Sequence, residues 1–599
     1  MTHSPQEQTE RTLRGIAASP GIAIGPVYLY LKQKPVVEER SIAPEETERE
    51  IGRLNVAVER SRKELSKIFD FAKQKLGEHQ AKIFEAQLMI LEDVVLFDSI
   101  NTRVKGEKKN VEFIVHDEIE KYHRVMAASE DEYTRERALD VEDLRNRILR
   151  NLQEEKLISR LDGSPLIVSQ SLAAADALIL SRNDVLGYVT EIGGVTSHTA
   201  LLARALKIPA VVGLRNIASS VHNGDRIIVD GYGGTVVLAP TDETITIYEE
   251  KRERFREFER RLAGLRDLPA ETPDGHRVEL KANVELMEEL EFIKVQGADG
   301  VGLYRSETLL LGREVFPSEE EQLKEYRTLA DTMYPRPVVI RTFDIGGDKM
   351  MVESVKENNP FLGWRGIRVM LDRPEIFLEQ LRAILRASVR KNISIMFPMV
   401  SSIKEVRRAK EFVEIVKAEL RFAKIPFDEN IGIGVMVEVP AAAVITEDLA
   451  KEVSFISIGT NDLIQYLLAV DRGNNIVSSL YQEFHPAVVR FLRRIVDRGK
   501  KGKVRVGMCG EMAGDPMATI LLLGLGIEEF SVVPNILPEI KKIIRSVKYR
   551  DAKKIAKKVL EMQTEDEIKE YLAAAMRKCL PDAPVGEEHA PSKEHHDPR

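Results

Sequence analysis

Between residues 300 and 515, arginines, carboxylates and one carboxamide recur at the ends of short apolar runs. Arg305 ends GVGLYR, Arg341 and Asp344 end PVVIRTFD, Glu438 sits late in IGIGVMVEVP, Asn461 and Asp462 end FISIGTND, and Cys509 and Glu511 end VRVGMCGE. Arg365 and Arg368 lie in NPFLGWRGIR between two of these runs, and Arg472 follows in AVDRGN. One arginine after an apolar run is ordinarily a surface ion pair. Several cations and carboxylates at successive run ends instead fit a small, multiply charged anion bridged by a hard cation. Arginine offers planar, bidentate donors to carboxylate and phosphate oxygens. Mg²⁺ takes one or two carboxylates together with substrate oxygens and water. Glu438 and Asp462 are the natural pair. The plainer alternative for each is a helix cap, and it is stronger for Asp462, because TND before an apolar helix is also a capping sequence. Cys509 reads as a small core residue; beside arginines and a metal it can instead be an acid–base group. Cys579, in EIKEYLAAAMRKCL, reads as structural.

A second constellation is GGVTSHTALLARALKIPAVVGL, residues 193–214. Gly193 and Gly194 permit a tight turn and close approach of a ligand to the backbone. Thr196 and Ser197 are cap-forming types ahead of an amphipathic run, which puts His198 in the first turn of a helix. Free N–H groups and the helix dipole there favour an anion. A histidine so placed is either structural or a nucleophile that holds a phosphoryl group.

These residues need elements to position them. The chain has 599 residues, 43% hydrophobic and 31% charged, a composition that buries large cores in several domains. Apolar runs such as residues 520–523 fall far short of the ~20 residues of a membrane span, and no secretory signal is evident, so no membrane insertion is expected. Two cysteines argue for a reducing, cytoplasmic setting. A formal charge of −8 argues against a general nucleic-acid binder while leaving room for local basic patches.

Residues 1–12 and 581–599 are polar and expected to be disordered. Residues 13–32 read as strands and turns, too few to close a domain alone, so they are expected to pair with 151–240, where strand and turn signals return. Residues 33–150 carry apolar positions at helical spacing, including Ile51, Leu54, Val58, Leu65 and Ile68, and read as a helical bundle inserted between those halves. Residues 241–266 form a charged helical connector. Over 267–580, apolar runs alternate with amphipathic helices about eight times, the pattern of a parallel (β/α)8 barrel, in which catalytic groups gather at the C-terminal ends of the strands. The fold class is α/β and multidomain.

With these motifs in place, the chain resembles the enzyme I family of the bacterial phosphoenolpyruvate:sugar phosphotransferase system, from about residue 13 to 577. The resemblance is carried by SPGIAIGP, GGVTSHTALLARALKIPAVVG, GVGLYRSE, IRTFDIGGDK, NPFLGWRGIR, IMFPMV, GVMVEVPAA, SIGTNDLIQYLLAVDRGN and GMCGEMAGD. It implies that His198 accepts the phosphoryl group of phosphoenolpyruvate and passes it to the phosphocarrier HPr, the first step of sugar uptake phosphorylation, with pyruvate released. It implies that Arg305, Arg341, Arg365, Asn461, Asp462 and Arg472 hold phosphoenolpyruvate, that Glu438 and Asp462 bind Mg²⁺, and that Cys509 protonates the enolate. It further implies a swivelling phosphohistidine domain, HPr docking on the inserted bundle, and a homodimer joined through the barrel. The alternative is a sibling phosphoenolpyruvate-utilising enzyme with another acceptor, of the synthase or nitrogen-regulatory type; the chain shows no nucleotide-binding module or sensory domain for it. Three departures stand out: Val195 replaces the usual arginine of the histidine loop, Ser306 replaces threonine in YRSE, and Gln87 sits where many members have histidine.

Overall fold

A computed structural model of the chain describes residues 9–30, 37–76, 84, 87–127, 132–153, 163–172, 174–181, 183–194, 197–287, 289–310, 313, 315–346, 357–474 and 476–580. The described residues fall into two compact units that divide between residues 254 and 255. The expected tail at 581–599, most of the expected frayed start, and Val195 and Thr196 lie outside the described residues.

The first unit is built on an eight-stranded sheet. Its strands are β1 (Arg11–Arg14), β2 (Ile16–Ser19), β3 (Ile22–Tyr30), β4 (Leu166–Ser169), β5 (Gly187–Thr190), β6 (Ala210–Val212), β7 (Arg226–Asp230) and β8 (Thr235–Leu238). Strand β3 is shared: it runs antiparallel to β7 and parallel to β4. Order starts earlier than the sequence suggests. Strand β1 begins at Arg11, inside the stretch expected to fray, and pairs with β8 from Arg11↔Leu238 to Arg14↔Thr235.

Between β3 and β4 the chain leaves the sheet for a helical insertion: Thr47–Leu76, Val94–Glu107, Val111–Ala127 and Glu132–Leu152. The helical spacing is realised as burial, with Leu54 and Leu65 at 0% exposure and Ile68 at 4%. These side chains share one hydrophobic cluster with Ile167, Tyr188, Ala200 and Ala203 of the α/β part. The insertion is therefore packed onto the sheet domain rather than hung from it.

The charged connector is a helix, Asp242–Ala263. Near its start, Thr241 N donates to Glu10, and Lys251 Nζ lies 2.7 Å from Asp230 on β7. Beyond its end, Lys541 Nζ donates to Arg266 O at 2.7 Å and Arg545 to Pro269 O at 2.8 Å.

The second unit is a closed barrel of eight strands, β9 (Glu279–Val284), β10 (Val301–Arg305), β11 (Val338–Arg341), β12 (Ile393–Phe397), β13 (Gly432–Val437), β14 (Phe455–Ile458), β15 (Arg505–Met508) and β16 (Glu529–Val532). All neighbours are parallel, and β16 closes on β9 from Glu529↔Glu279 to Val532↔Ala282. Leu303, Val339, Met396, Met436 and Cys509 form a buried cluster of their own. Among the functional candidates Cys509 belongs to this cluster; the charged ones stand at or just past the strand ends.

Candidate active site

Barrel closure turns sequence-distant run ends into one rim. Arg305 is the last residue of β10 and Arg341 the last of β11; Glu438 directly follows β13 and Cys509 directly follows β15. Asn461 and Asp462 open the helix Thr460–Leu468 after β14. Arg365 is brought back to the rim by an antiparallel bridge between Gly346 and Arg365. The next residue, Gly366, has φ +60°, and a Cβ there would lie 2.8 Å from Met399 Cβ and 3.1 Å from Asp344 Oδ1. Only glycine lets this turn sit against the acid that Arg365 binds.

The centre of the rim is a chain of alternating charge. Glu307 Oε2 accepts from Arg341 Nη2 at 3.1 Å, and Arg341 Nη1 lies 3.2 Å from Asp344 Oδ2. Arg365 is held on two sides. Its Nε and Nη2 donate to Asp344 at 3.0 and 2.9 Å, and its Nη1 and Nη2 donate to Asp462 at 3.0 Å each. Burial opposes the charge on both guanidiniums, but the facing carboxylates outweigh it and raise both pKa values. Both arginines therefore stay cationic in a half-dry site. Arg341 Nε is buried and has no partner among the described residues.

Glu438 is 1% exposed, and its Oε1 accepts the Met399 N–H at 2.5 Å. Met399 has φ +55°, a left-handed backbone that aims this N–H at the acid. Burial, with Asp462 and Asp344 nearby, pushes the Glu438 carboxyl well above the usual range. Such a carboxylate suits a hard cation: like charges repel across it and water is scarce. Among the described residues no three His, Cys, Asp or Glu side chains converge in a metal-binding geometry. Glu438 and Asp462 are carboxylates, the ligand type that Mg²⁺ takes one or two of beside substrate oxygens and water, so the residue types present are compatible with that ion.

Next to Asp462, Asn461 and Glu511 clasp each other. Asn461 Nδ2 donates to Glu511 Oε1 at 2.8 Å, and Glu511 N donates back to Asn461 Oδ1 at 2.8 Å. Arg472 Nη1 donates to the same Glu511 oxygen at 2.8 Å. Arg305 is paired with Glu285. These outer pairs are open to solvent, with Arg305 35% and Arg472 45% exposed.

Cys509 is 3% exposed. Burial pushes its thiol up to about 11; Glu438 adds to the rise, while a hydrogen bond with Ser457 and the charges of Arg341 and Arg305 oppose it. The thiol is protonated at neutral pH, the state needed by an acid. The residue packs as core, in a buried cluster with Leu303 and Met436, and its Sγ lies 3.8 Å from Ile458 O.

His198 belongs to the first unit and opens the helix His198–Leu206. Ser197 is its N-cap, with Oγ accepting from Ala200 N at 3.3 Å. Thr199 Oγ1 anchors the turn by donating to Leu172 O at 2.6 Å. Gly193 has φ +139°, and a Cβ there would sit 3.3 Å from Ser197 Oγ. The side chain of His198 lies outside what is described.

Sequence reasoning singled out Arg305, Arg341, Arg365, Glu438, Asn461, Asp462, Arg472 and Cys509, and the barrel gathers them at one end. It passed over Glu285 and Glu307. Glu307 was within reach, because it ends the YRSE motif two residues after Arg305.

Comparison with known proteins carries this further. Three family profiles match: "PEP-utilising enzyme, N-terminal" over residues 14–137, "PEP-utilising enzyme, mobile domain" over 162–234, and "PEP-utilising enzyme, PEP-binding domain" over 259–549. The phosphoenolpyruvate-protein phosphotransferase of Staphylococcus carnosus is 41% identical over 562 residues, covering 93% of this chain and 98% of the relative. That of Haemophilus influenzae is 42% identical over 568 residues, covering 94% and 98%. The chain belongs to the phosphoenolpyruvate-protein phosphotransferase family. The solution structure of Enzyme I (nEIt) is 39% identical, covers 41% of this chain and 99% of its own, and has a TM-score of 0.37. Within the family's division, the charged rim lies in the stretch matched as PEP-binding and His198 in the stretch matched as mobile. Among the described residues no helix is long and apolar enough to cross a membrane.

Proposed function

We propose that the chain transfers the phosphoryl group of phosphoenolpyruvate to His198 and from there to the phosphocarrier HPr, releasing pyruvate and starting sugar uptake phosphorylation. One observation carries the reading: the alternating chain Glu307–Arg341–Asp344–Arg365–Asp462 shares a barrel rim with the buried Glu438 carboxyl and the neutral Cys509 thiol.

Phosphoenolpyruvate is a compact anion with a carboxylate and a phosphate. Arg305 and Arg472 are exposed and can exchange their carboxylate partners for substrate oxygens at small cost. Arg341 and Arg365 are fixed in advance, so they need little reorganisation when the phosphoryl charge spreads. Asn461, oriented by Glu511, supplies an amide donor. Glu438 and Asp462 are the residues that would hold Mg²⁺, which when bound neutralises substrate oxygens. A ring nitrogen of His198 attacks phosphorus in line. The N–P bond forms, the bond from phosphorus to the enol oxygen breaks, and its electron pair leaves as the enolate. The Cys509 thiol protonates the enolate carbon, giving pyruvate, and regains its proton from water. The start of a helix at His198 favours the phosphorylated state, since free N–H groups face an anion there.

HPr as acceptor, docking on the helical insertion, and a homodimer joined through the barrel belong to the same reading. In support of the dimer, Phe361, Leu362, Ile476 and Leu480 are exposed apolar residues on loops that follow β11 and β14. The test is incubation with ³²P-labelled phosphoenolpyruvate and Mg²⁺. An acid-labile label is expected on the wild type, absent from His198→Ala, and transferred to added HPr with release of pyruvate. Equal labelling of His198→Ala overturns the assignment.

A further inference from the structure

Arg341 needs more than its place on β11 to point its head into the rim. The backbone ladder continues one residue past the strand, with Thr342 N donating to Met396 O at 3.0 Å. There it runs out, and two side chains take over. Phe343 N donates to Gln380 Oε1 at 3.1 Å, and Asp344 N donates to Glu307 Oε1 at 2.5 Å. The second Glu307 oxygen receives Arg341 Nη2. One residue before Glu307, the buried Ser306 hydroxyl donates to Arg341 O at 2.8 Å and accepts from Gln380 Nε2 at 3.1 Å. The short helix Ser306–Leu310 therefore grips Arg341 twice, at its carbonyl through Ser306 and at its head through Glu307.

From this geometry we infer that Glu307 is a positioning residue for the transfer reaction: it fixes the Arg341 guanidinium and the Asp344 backbone in the arrangement that receives phosphoenolpyruvate. The inference rests on the functional reading above. A long arginine side chain free in solvent loses conformational freedom on binding, and an arginine already held by a carboxylate loses less. Both oxygens of Glu307 are engaged and its side chain is only 19% exposed, so the grip is not a casual surface pair. Glu307 acts from behind. Asp344 lies on the far side of Arg341 and passes the same order to Arg365 and Asp462.

The substitution Glu307→Gln is nearly isosteric. It keeps an oxygen for the Asp344 N–H but turns an NH₂ group toward Arg341 Nη2, donor against donor. The experiment measures phosphoenolpyruvate binding in the presence of Mg²⁺ by calorimetry in a His198→Ala background, where no transfer follows binding, for the otherwise wild-type protein, E307Q, R341A and the double variant. E307Q is expected to bind roughly tenfold more weakly, the scale of one lost charged hydrogen bond. In the R341A background it is expected to change binding by less than about twofold, because a residue that acts through Arg341 has nothing left to position. With His198 in place, single-turnover transfer at saturating substrate should fall less than the affinity. Unchanged binding by E307Q, or independent multiplying losses in the double variant, overturns the inference and leaves the functional reading standing. Absence of binding by the otherwise wild-type protein overturns the functional reading and this role together. If E307Q does not fold, Glu307→Asp, which keeps the charge and shortens the reach, is measured in its place with the same criteria.

Discussion

The barrel rim and the histidine turn solve the placing of a reactive group in opposite ways. At the rim, side chains hold side chains: Arg365 alone donates four hydrogen bonds to the carboxylates of Asp344 and Asp462, and Glu438 is 1% exposed. At the turn, backbone and small hydroxyls do the holding, through Gly193, the Ser197 cap and the Thr199 anchor to Leu172. A binding site for a charged small molecule gains from being rigid before the ligand arrives. A group that is loaded with an anion and then unloaded gains from standing at a helix start, where backbone N–H groups and the dipole favour negative charge. The difference implies that damage at the turn removes one chemical event, whereas damage at the rim also costs stability.

The widest contrast is between His198→Ala and Arg365→Met. Removing the imidazole is expected to abolish phosphoryl acceptance entirely, while phosphoenolpyruvate binding and the melting temperature stay near the wild-type values. Removing the guanidinium takes one of two facing cations from Asp344, whose side chain is 3% exposed and keeps Arg341 at 3.2 Å, and the arginine partner from Asp462. A buried charge left wholly without a partner costs roughly 3–5 kcal/mol, and Arg341 offsets part of this, so R365M should show a loss below that range in urea unfolding of the barrel as well as lost substrate binding. A His198→Ala protein that melts several degrees lower, or an R365M protein as stable as the wild type, breaks the contrast.

A smaller effect tests the dryness of the rim. The Cys509 thiol is pushed from an ordinary value of 9.0 up to about 11, first by burial. A raised acid pKa means less thiolate at any pH below it, by roughly 100-fold for two units. Alkylation of Cys509 by iodoacetamide at pH 8 should therefore be slower than that of a free thiol by at least this factor, and should keep rising with pH beyond 10. Rapid labelling that levels off near pH 9 contradicts a buried, protonated thiol. Cys509→Ala should slow pyruvate formation by about 10²–10⁴, the usual range for a lost general acid.

Much of this was legible in the chain. The barrel announces itself because the strands are short apolar runs, most of them stopping at a charged or small residue, and the closed order β9 to β16 follows the order of those runs. The first half of the first strand, Arg11 and Thr12, was not legible. RTLR has too little apolar alternation to be read, and what makes it a strand is β8, more than two hundred residues later. At the rim, the residues of the rarer kinds stood out: arginines after strands, a carboxamide, a cysteine. Of their partners, Asp344, Asp462 and Glu511 ended the same runs and were singled out, but Glu285 and Glu307 were not. An acid such as Glu307 looks the same in sequence whether it faces water or a guanidinium, and only barrel closure decides. Arg365 shows the converse. Its type and motif mark it as a cation for substrate, but nothing in the sequence shows that Asp344 and Asp462 already occupy it. The Ser306 departure is also explained by position, since the part of the residue that works is its hydroxyl, shared by serine and threonine, bonded to Arg341 O and Gln380.

The smallest effect sharpens the same contrast inside the rim, between arginines that are fixed and those that are only parked. Arg305 pairs with Glu285, and both are substantially exposed, at 35% and 53%. An exposed pair of this kind contributes about 0.2–1 kcal/mol, most of it screened by salt. The substrate must displace Glu285 to use Arg305, so neutralising that competitor should help binding rather than hurt it. Glu285→Gln is expected to lower KM for phosphoenolpyruvate by no more than about fivefold at low salt, the same energy expressed as a ratio, with kcat unchanged and the gain fading above roughly 0.3 M salt. A raised KM would mean that Glu285 orients Arg305 as Glu307 orients Arg341, and that the outer arginines are as firmly set as the inner ones.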